Sequence, residues 1–324
     1  MKFGLSGCGG GFDGDDPAEI LSMSALAEDL GFIGIWINEE HFHQVRVPRR
    51  CYSPLILGAA IAARTRRIRI GFSVLLLSLH NSLRLAEDIA NLDLLSGGRV
   101  DFGISRGNNA RYMQAFGVDP IRGSPEHFQE SLQFILKCWT GEEFAIDEDK
   151  YSTMKTVQQP HPPVYIGTYT EETAAWAAKS GHFLIQHGIQ SRRSLKAMLR
   201  AFEGAGRDVS KVPVGRFMFV SDSDSAARKV AWPAACKLAD FLRRMKMFKN
   251  GILDERDLEP ERFYSEMVIA GGPHSCVEQL KALSEDMGVN YVNSLASFFG
   301  NLSPQQILPS LKATSKDIMP ILDH

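Results

Sequence analysis

Eight β-rich runs alternate with eight helical runs from one end of this 324-residue chain to the other, and that alternation limits what it can fold into. The strand candidates are Lys2–Ser6, Phe32–Asn38, Ile68–Leu76, Arg99–Ser105, Val164–Thr168, Phe183–His187, Val214–Ser221 and Asn290–Ser297. Between them lie helical patterns at Pro17–Leu30, Pro54–Arg64, Ser82–Leu95, Pro125–Trp139, Glu171–Lys179, Ser194–Glu203, Ser223 onward and His274–Met287. Strict alternation implies a parallel sheet covered by helices, and eight units without a composition break favour a closed (β/α)8 TIM barrel over a doubly wound sheet. No linker divides the chain, so residues 1–324 read as a single domain. Two segments depart from the repeat, Thr140–Pro163 and Phe241–Gly272, and read as lids inserted at the carboxyl-terminal face, where barrels build their sites.

Composition narrows the function. The 36 Lys and Arg nearly balance 38 Asp and Glu, leaving a formal charge of -2 with no long run of either sign, which disfavours nucleic acid as a partner. No apolar run is long enough to span a bilayer, and Met1-Lys2-Phe3 leads directly into a strand, so the expected setting is the cytoplasm and no membrane is involved. The five cysteines are widely spaced and form no Cys-x-x-Cys pair, so neither a disulfide framework nor a structural metal is expected.

Chemistry-bearing residues gather where strands end. In Gly97–Asn108, Val100, Phe102 and Ile104 point to one face while Asp101, Gly103 and Ser105 point to the other. The strand then runs into Arg106, a permanent cation, and Gly107, which suits close approach of a ligand, so this tip reads as an anion site. Asn38-Glu39-Glu40-His41-Phe42-His43 follows the second strand; His41 there is either a general base and hydrogen-bond donor or part of a solvated turn. Tyr169-Thr170-Glu171-Glu172-Thr173 opens a helix, with Thr170 as N-cap, and reads either as an ordinary cap or as a phosphate cradle. In the third strand Gly71 and Ser73 face the interior. The dinucleotide-binding Gly-x-Gly-x-x-Gly, the P-loop and the Gly-x-Ser-x-Gly elbow are all absent.

Taken in order, Met1–Gly4, Trp36–Phe42, Arg84-x-Ala86-Glu87-Asp88 before Gly98-Arg99, Phe102-Gly103-x-Ser105-Arg106-Gly107, Phe116-Gly117, and Pro163-Val164-Tyr165 leading to Trp176-Ala177-Ala178 resemble the bacterial luciferase-like flavin-dependent monooxygenases. Within that family the likeness is greatest to luciferase catalytic subunits, and it covers nearly the whole chain. It implies a (β/α)8 barrel binding flavin mononucleotide (FMN) at its carboxyl face. Arg106 and Asn108 would hold the phosphate from one side and Tyr169, Thr170 and Thr173 from the other. Ser73 and Val74 fall where the family has a non-proline cis peptide beneath the flavin ring, and Ser105 falls beside the ring, where the luciferase subunit has a reactive cysteine.

The implied activity is a two-component monooxygenase. Reduced FMN from a separate flavin reductase reacts with O2, and the flavin hydroperoxide so formed oxidises a small-molecule substrate such as an aldehyde, a ketone or a heteroatom compound. His41 would be the hydrogen-bonding or acid/base residue, modulated by Glu40, which replaces the first of two adjacent histidines in the luciferase subunit. An arginine expected near Ser124 and Pro125 is missing, and Arg122 is its substitute. Two other readings stand beside this one: a deazaflavin-dependent hydride-transfer enzyme, and a noncatalytic flavin-binding or partner subunit. A homodimer or heterodimer is expected, because helix Ser82–Leu95 carries apolar residues beyond one core stripe.

Overall fold

The computed structural model describes residues 1–8, 16–42, 51–107, 109–186, 188–246 and 253–323. The sheet strands are β1 (Lys2–Cys8), β2 (Gly34–Ile37), β3 (Arg69–Phe72), β4 (Leu75–Leu76), β5 (Val100–Ser105), β8 (Val164–Gly167), β9 (Phe183–Ile185), β10 (Pro213–Val220), β11 (Val268–Gly271) and β12 (Tyr291–Ser294). A separate antiparallel hairpin joins β6 (Phe144–Ile146) to β7 (Asp149–Tyr151). The ten sheet strands run in the order β11-β10-β12-β1-β2-β3-β5-β8-β9, with β4 alongside β5, and pair in parallel. This is a mixed α/β fold built on a mostly parallel, curled sheet. The curl brings Gln186, just beyond β9, against β10: its N–H donates to Pro213 O at 3.0 Å, and Gly215 N–H donates to its carbonyl at 2.9 Å.

Helices α1 (Pro17–Asp29), α2 (Pro54–Arg64), α3 (Ser82–Ser96), α4 (Ala110–Ala115), α5 (Pro125–Thr140), α6 (Glu171–Lys179), α7 (Arg192–Gly204), α8 (Asp224–Arg244), α9 (Pro260–Met267), α10 (Pro273–Met287), α11 (Pro304–Ala313) and α12 (Met319–Leu322) accompany the strands. Their apolar faces meet the outward side chains of the sheet, which alternate as a pleat requires: Phe3 and Leu5, Ile35 and Ile37, Ile70 and Phe72, Val100, Phe102 and Ile104 are all buried in one continuous core. Inward positions carry a second, small cluster of Trp36, Ile185 and Tyr291, with Val74 and Tyr165 packed on it. Trp36 Nε1 donates to Tyr291 Oη at 3.0 Å, and its ring meets that of Tyr165 edge-on at 5.0 Å.

Three features differ from the sequence reading. The single strand expected over Ile68–Leu76 is divided into β3 and β4 at Ser73–Val74, where the peptide bond is cis, as the family resemblance implies, and Val74 packs on the inner cluster.

Thr140–Pro163 is not a lid at the carboxyl-terminal face. It connects α5 to the amino end of β8, and its Gln158 plugs that opposite end of the sheet, bonding Asp93, Val100 O and Arg69, while Arg69 itself grips Asp101 through two hydrogen bonds. A segment lying between a helix and the next strand returns to the amino side, so its polarity reflects a capped floor, not a cover over a site.

Phe241–Gly272 is likewise no lid where it is described. Phe241 lies in α8, β11 extends the sheet beside β10, and Leu258, Phe263 and Met267 are fully buried. Its patchy charge concealed an amphipathic helix and a strand. Among the described residues, no helix is long and apolar enough to cross a membrane.

Candidate active site

The carboxyl ends of β2, β4, β5 and β8 converge. Just past β2, Glu39 turns inward and its side chain is only 2 % exposed. Its Oε1 lies 3.2 Å from His41 Nε2 and 2.9 Å from His80 Nε2, Oε2 lies 3.0 Å from His80 Nε2, and Oε2 accepts the Leu76 N–H at 2.5 Å. Burial by itself raises a carboxyl pKa; here the bonds from His41, His80 and Leu76, with the charge of His80, outweigh it and hold Glu39 down at about 2. Glu39 is therefore an anion that ties β2 to β4 and positions two imidazoles.

That anion makes folding pH-dependent in a defined direction. Its folded pKa lies below the ordinary 4.5, so its contribution to stability is full above about pH 4.5 and is lost as pH falls toward 2. Urea midpoints measured from pH 7 to pH 3 should fall less steeply in E39Q than in the parent; equal slopes would refute the assignment.

Aromatic rings surround His41. Tyr112 and Phe116, from α4 and its end, meet the imidazole at centroid distances of 5.1 and 4.6 Å, and Phe42 packs on Tyr112 at 5.3 Å. Arg122 donates to the carbonyl of His80, which places it at the same cluster.

The tip of β5 is clamped to the turn after β4. Ser105 pairs with Leu76, Ser78 N–H donates to Arg106 O at 3.1 Å, and Ser78 Oγ donates to Gly107 O at 2.7 Å. Gly107 has φ +74°, and a Cβ there would lie 2.8 Å from Leu76 Cβ and 2.9 Å from Ser78 Oγ, so only glycine suits this turn. Arg106 is left half-buried, and among the described residues its guanidinium has no hydrogen-bond or ion-pair partner.

On the neighbouring strand, Val74 lies over Gly167, whose hypothetical Cβ would be 2.8 Å from Val74 Cγ1. Beyond it Thr168 Oγ1 accepts the Thr170 N–H at 3.1 Å, Thr170 Oγ1 accepts the Thr173 N–H at 3.3 Å, and the Thr170 and Thr173 hydroxyls bond at 2.9 Å. Tyr169 stands 37 % exposed beside them. Thr170 caps α6, as its sequence position suggests.

The structure thus gathers His41, Glu40, Ser73, Val74, Ser105 and Arg106 at one rim, with Tyr169, Thr170 and Thr173 on the adjoining strand end. Asn108 lies outside the described residues, as do Gly9–Asp15 and His43–Arg50. The carboxylate bonded to His41 is that of Glu39, and His80 and Tyr112 complete a cluster that sequence reasoning missed. Glu39 left no usable signal: it follows Ile37 and Asn38 at a strand end, where direction is set by the turn and not by the pleat. His80 lies 41 residues away and left no local signal.

A family model described as luciferase-like monooxygenase matches residues 3–291. The alkanal monooxygenase alpha chain of a Kryptophanaron alfredi symbiont is 23 % identical over 334 residues, covering 94 % of this chain and 92 % of the relative. Among solved structures, the oxygenating constituent of 3,6-diketocamphane monooxygenase from the CAM plasmid of Pseudomonas putida, a type II Baeyer-Villiger monooxygenase in complex with FMN, superposes with a TM-score of 0.79 at 20 % identity, over 99 % of this chain and 98 % of that one. An F420-dependent secondary alcohol dehydrogenase superposes at 0.75 with 17 % identity, over 99 % of each chain.

Proposed function

The chain belongs to the luciferase-like monooxygenase family, and on that premise we propose that it is a two-component, FMN-dependent monooxygenase acting on a small organic substrate. The observation that carries this reading is the half-buried Arg106 guanidinium, unpartnered among the described residues, at the same rim as the capped start of α6. A buried-side cation without a counterion favours an anionic ligand, and a helix start adds backbone donors to it. Among the described residues the N–H groups of Glu171 and Glu172 have no acceptor, which leaves two donors for a phosphate. Val74, packed on the inner cluster of Trp36 and Tyr165, is the side chain on which a planar ring would rest in this reading.

Reduced FMN, delivered by a separate reductase, would supply the electrons that activate O2 for transfer of one oxygen atom to an aldehyde, a ketone or a heteroatom. Arg106, Thr170 and Thr173 bind and orient its phosphate in this reading, with Asn108 and Tyr169 beside them. Ser73, Val74 and Ser105 border its ring. His41 hydrogen-bonds at the reacting atoms, with the acidic pair Glu39 and Glu40 behind it, and the rings of Tyr112 and Phe116 exclude water from that side.

The curled sheet in this proposal is a closed (β/α)8 barrel, supported by the two Gln186 bonds to β10. A dimer is supported by the exposed apolar side chains of Ile56 on α2 and Leu94 and Leu95 on α3.

The resemblance in fold to an F420-dependent dehydrogenase keeps a deazaflavin hydride-transfer reading beside this one. Anaerobic titration with reduced FMN and with reduced deazaflavin, followed by O2 uptake with aldehydes and ketones, separates the two. Saturable FMN binding with substrate-dependent O2 uptake is expected. Binding of the deazaflavin alone, with no O2 consumed, would replace the proposal with the hydride-transfer reading.

A further inference from the structure

We propose that Glu39 is a positioning residue that fixes both His41 and His80 as Nε2–H tautomers, so that His41 meets the substrate side through Nδ1 and His80 is a second proton-bearing group of the same site. This deepens the monooxygenase reading and rests on it only for the identity of what His41 touches. The argument begins with hydrogen-bond inventory. An ionised carboxylate only accepts, so each imidazole nitrogen bonded to Glu39 must carry a hydrogen. Both contacts are made by Nε2, at 3.2 Å from His41 and 2.9 to 3.0 Å from His80. In each neutral ring the lone pair is then on Nδ1, and a further proton taken up by either ring goes to that atom.

Three fixed contacts make the arrangement directional. Glu39 is itself held by the Leu76 N–H, His80 by Arg122 at its carbonyl, and the His41 backbone by Cys51 Sγ–H at 3.0 Å. The ring of His41 is confined between Tyr112 and Phe116, so turning it to exchange its nitrogens means leaving both aromatic contacts. The titratable and charged groups that face the cluster are Glu39 and Glu40 at the end of β2, Arg122 before α5, Tyr112 on α4, and Cys51 before α2. A single carboxylate shared by two imidazoles also couples them: protonating one ring draws Glu39 toward it and weakens its hold on the other.

Nitrogen-15 NMR of histidine-labelled protein, without flavin or substrate, tests this directly. H41Q and H80Q identify the two rings among the nine histidines. Both neutral rings should show a pyrrole-type Nε2 and a pyridine-type Nδ1, and E39Q, whose amide can donate as well as accept, should release at least one ring from that tautomer. In H80Q, whose amide still donates to Glu39, the His41 tautomer should persist. A neutral His41 protonated on Nδ1 overturns the proposal, and so do identical tautomer populations in the parent and a folded E39Q. If E39Q does not fold, the tautomers in the parent and H80Q decide alone. Since the measurement needs no cofactor, a failed FMN titration would leave this result standing, and a wrong tautomer would leave FMN binding untouched.

Discussion

Replacing Arg106 by alanine is expected to weaken FMN binding about a hundredfold while leaving the thermal midpoint nearly unchanged. Hydrogen bonds to charged groups contribute roughly 1.5 to 3 kcal/mol each, and about 1.4 kcal/mol is a factor of ten in affinity. A guanidinium with no partner among the described residues gives up little in the fold when it is removed, so the loss falls on the ligand. R106K should recover only part of the affinity, because an ammonium is a point charge without the planar fork. Calorimetric titration measures both. An R106A protein that binds FMN as tightly as the parent would remove the phosphate site from this rim.

The largest effect on stability should come from Gly103→Ala. A Cβ at this position would lie 1.6 Å from the carbonyl oxygen of Phe72, a backbone atom that has nowhere to go. Below it β3 and β5 pair at Ile70–Val100 and Gly71–Asp101, and above it β4 and β5 pair at Leu75–Ile104, so the strands are pinned on both sides of the clash. A loss of about 4 kcal/mol is expected, at the upper end for single substitutions. Gly204→Ala, where nothing lies within 4 Å, serves as the control. If the urea midpoint of G103A moves no further than that of G204A, the close approach of β3 and β5 is not as described.

The repeated unit was legible because it rests on local physics. Outward-facing Val100, Phe102 and Ile104 alternate with Asp101, Gly103 and Ser105 as a strand buried on both faces demands, and Thr170 advertises a helix start through its hydroxyl and spacing. What escaped was whatever depends on the end of the sheet to which a segment returns. Thr140–Pro163 has the composition of a surface loop at either end, and only its position after α5 sends Gln158 to the floor beneath Asp101. The extra strand β11 was hidden because Val268–Gly271 is four residues long and follows a short helix directly.

The site shows the same division. Arg106 and Thr170 belong to continuous strand-to-loop sequences, so their placement followed from the strands. Glu39 and Glu40 are chemically alike and adjacent, and no periodicity survives past Ile37 to say which turns inward. The choice is made by partners, the Leu76 N–H at the end of β4 and His80 in the turn after it.

The β6–β7 hairpin offers a practical handle. Residues 145–151 are exposed, and the hairpin leaves the sheet from the end plugged by Gln158, opposite the rim that carries Arg106 and His41. A label, tether or fused domain attached at its turn would sit behind the enzyme with the mouth facing outward. Immobilised or dye-bearing forms built there should keep the rim that carries Arg106 and His41 open.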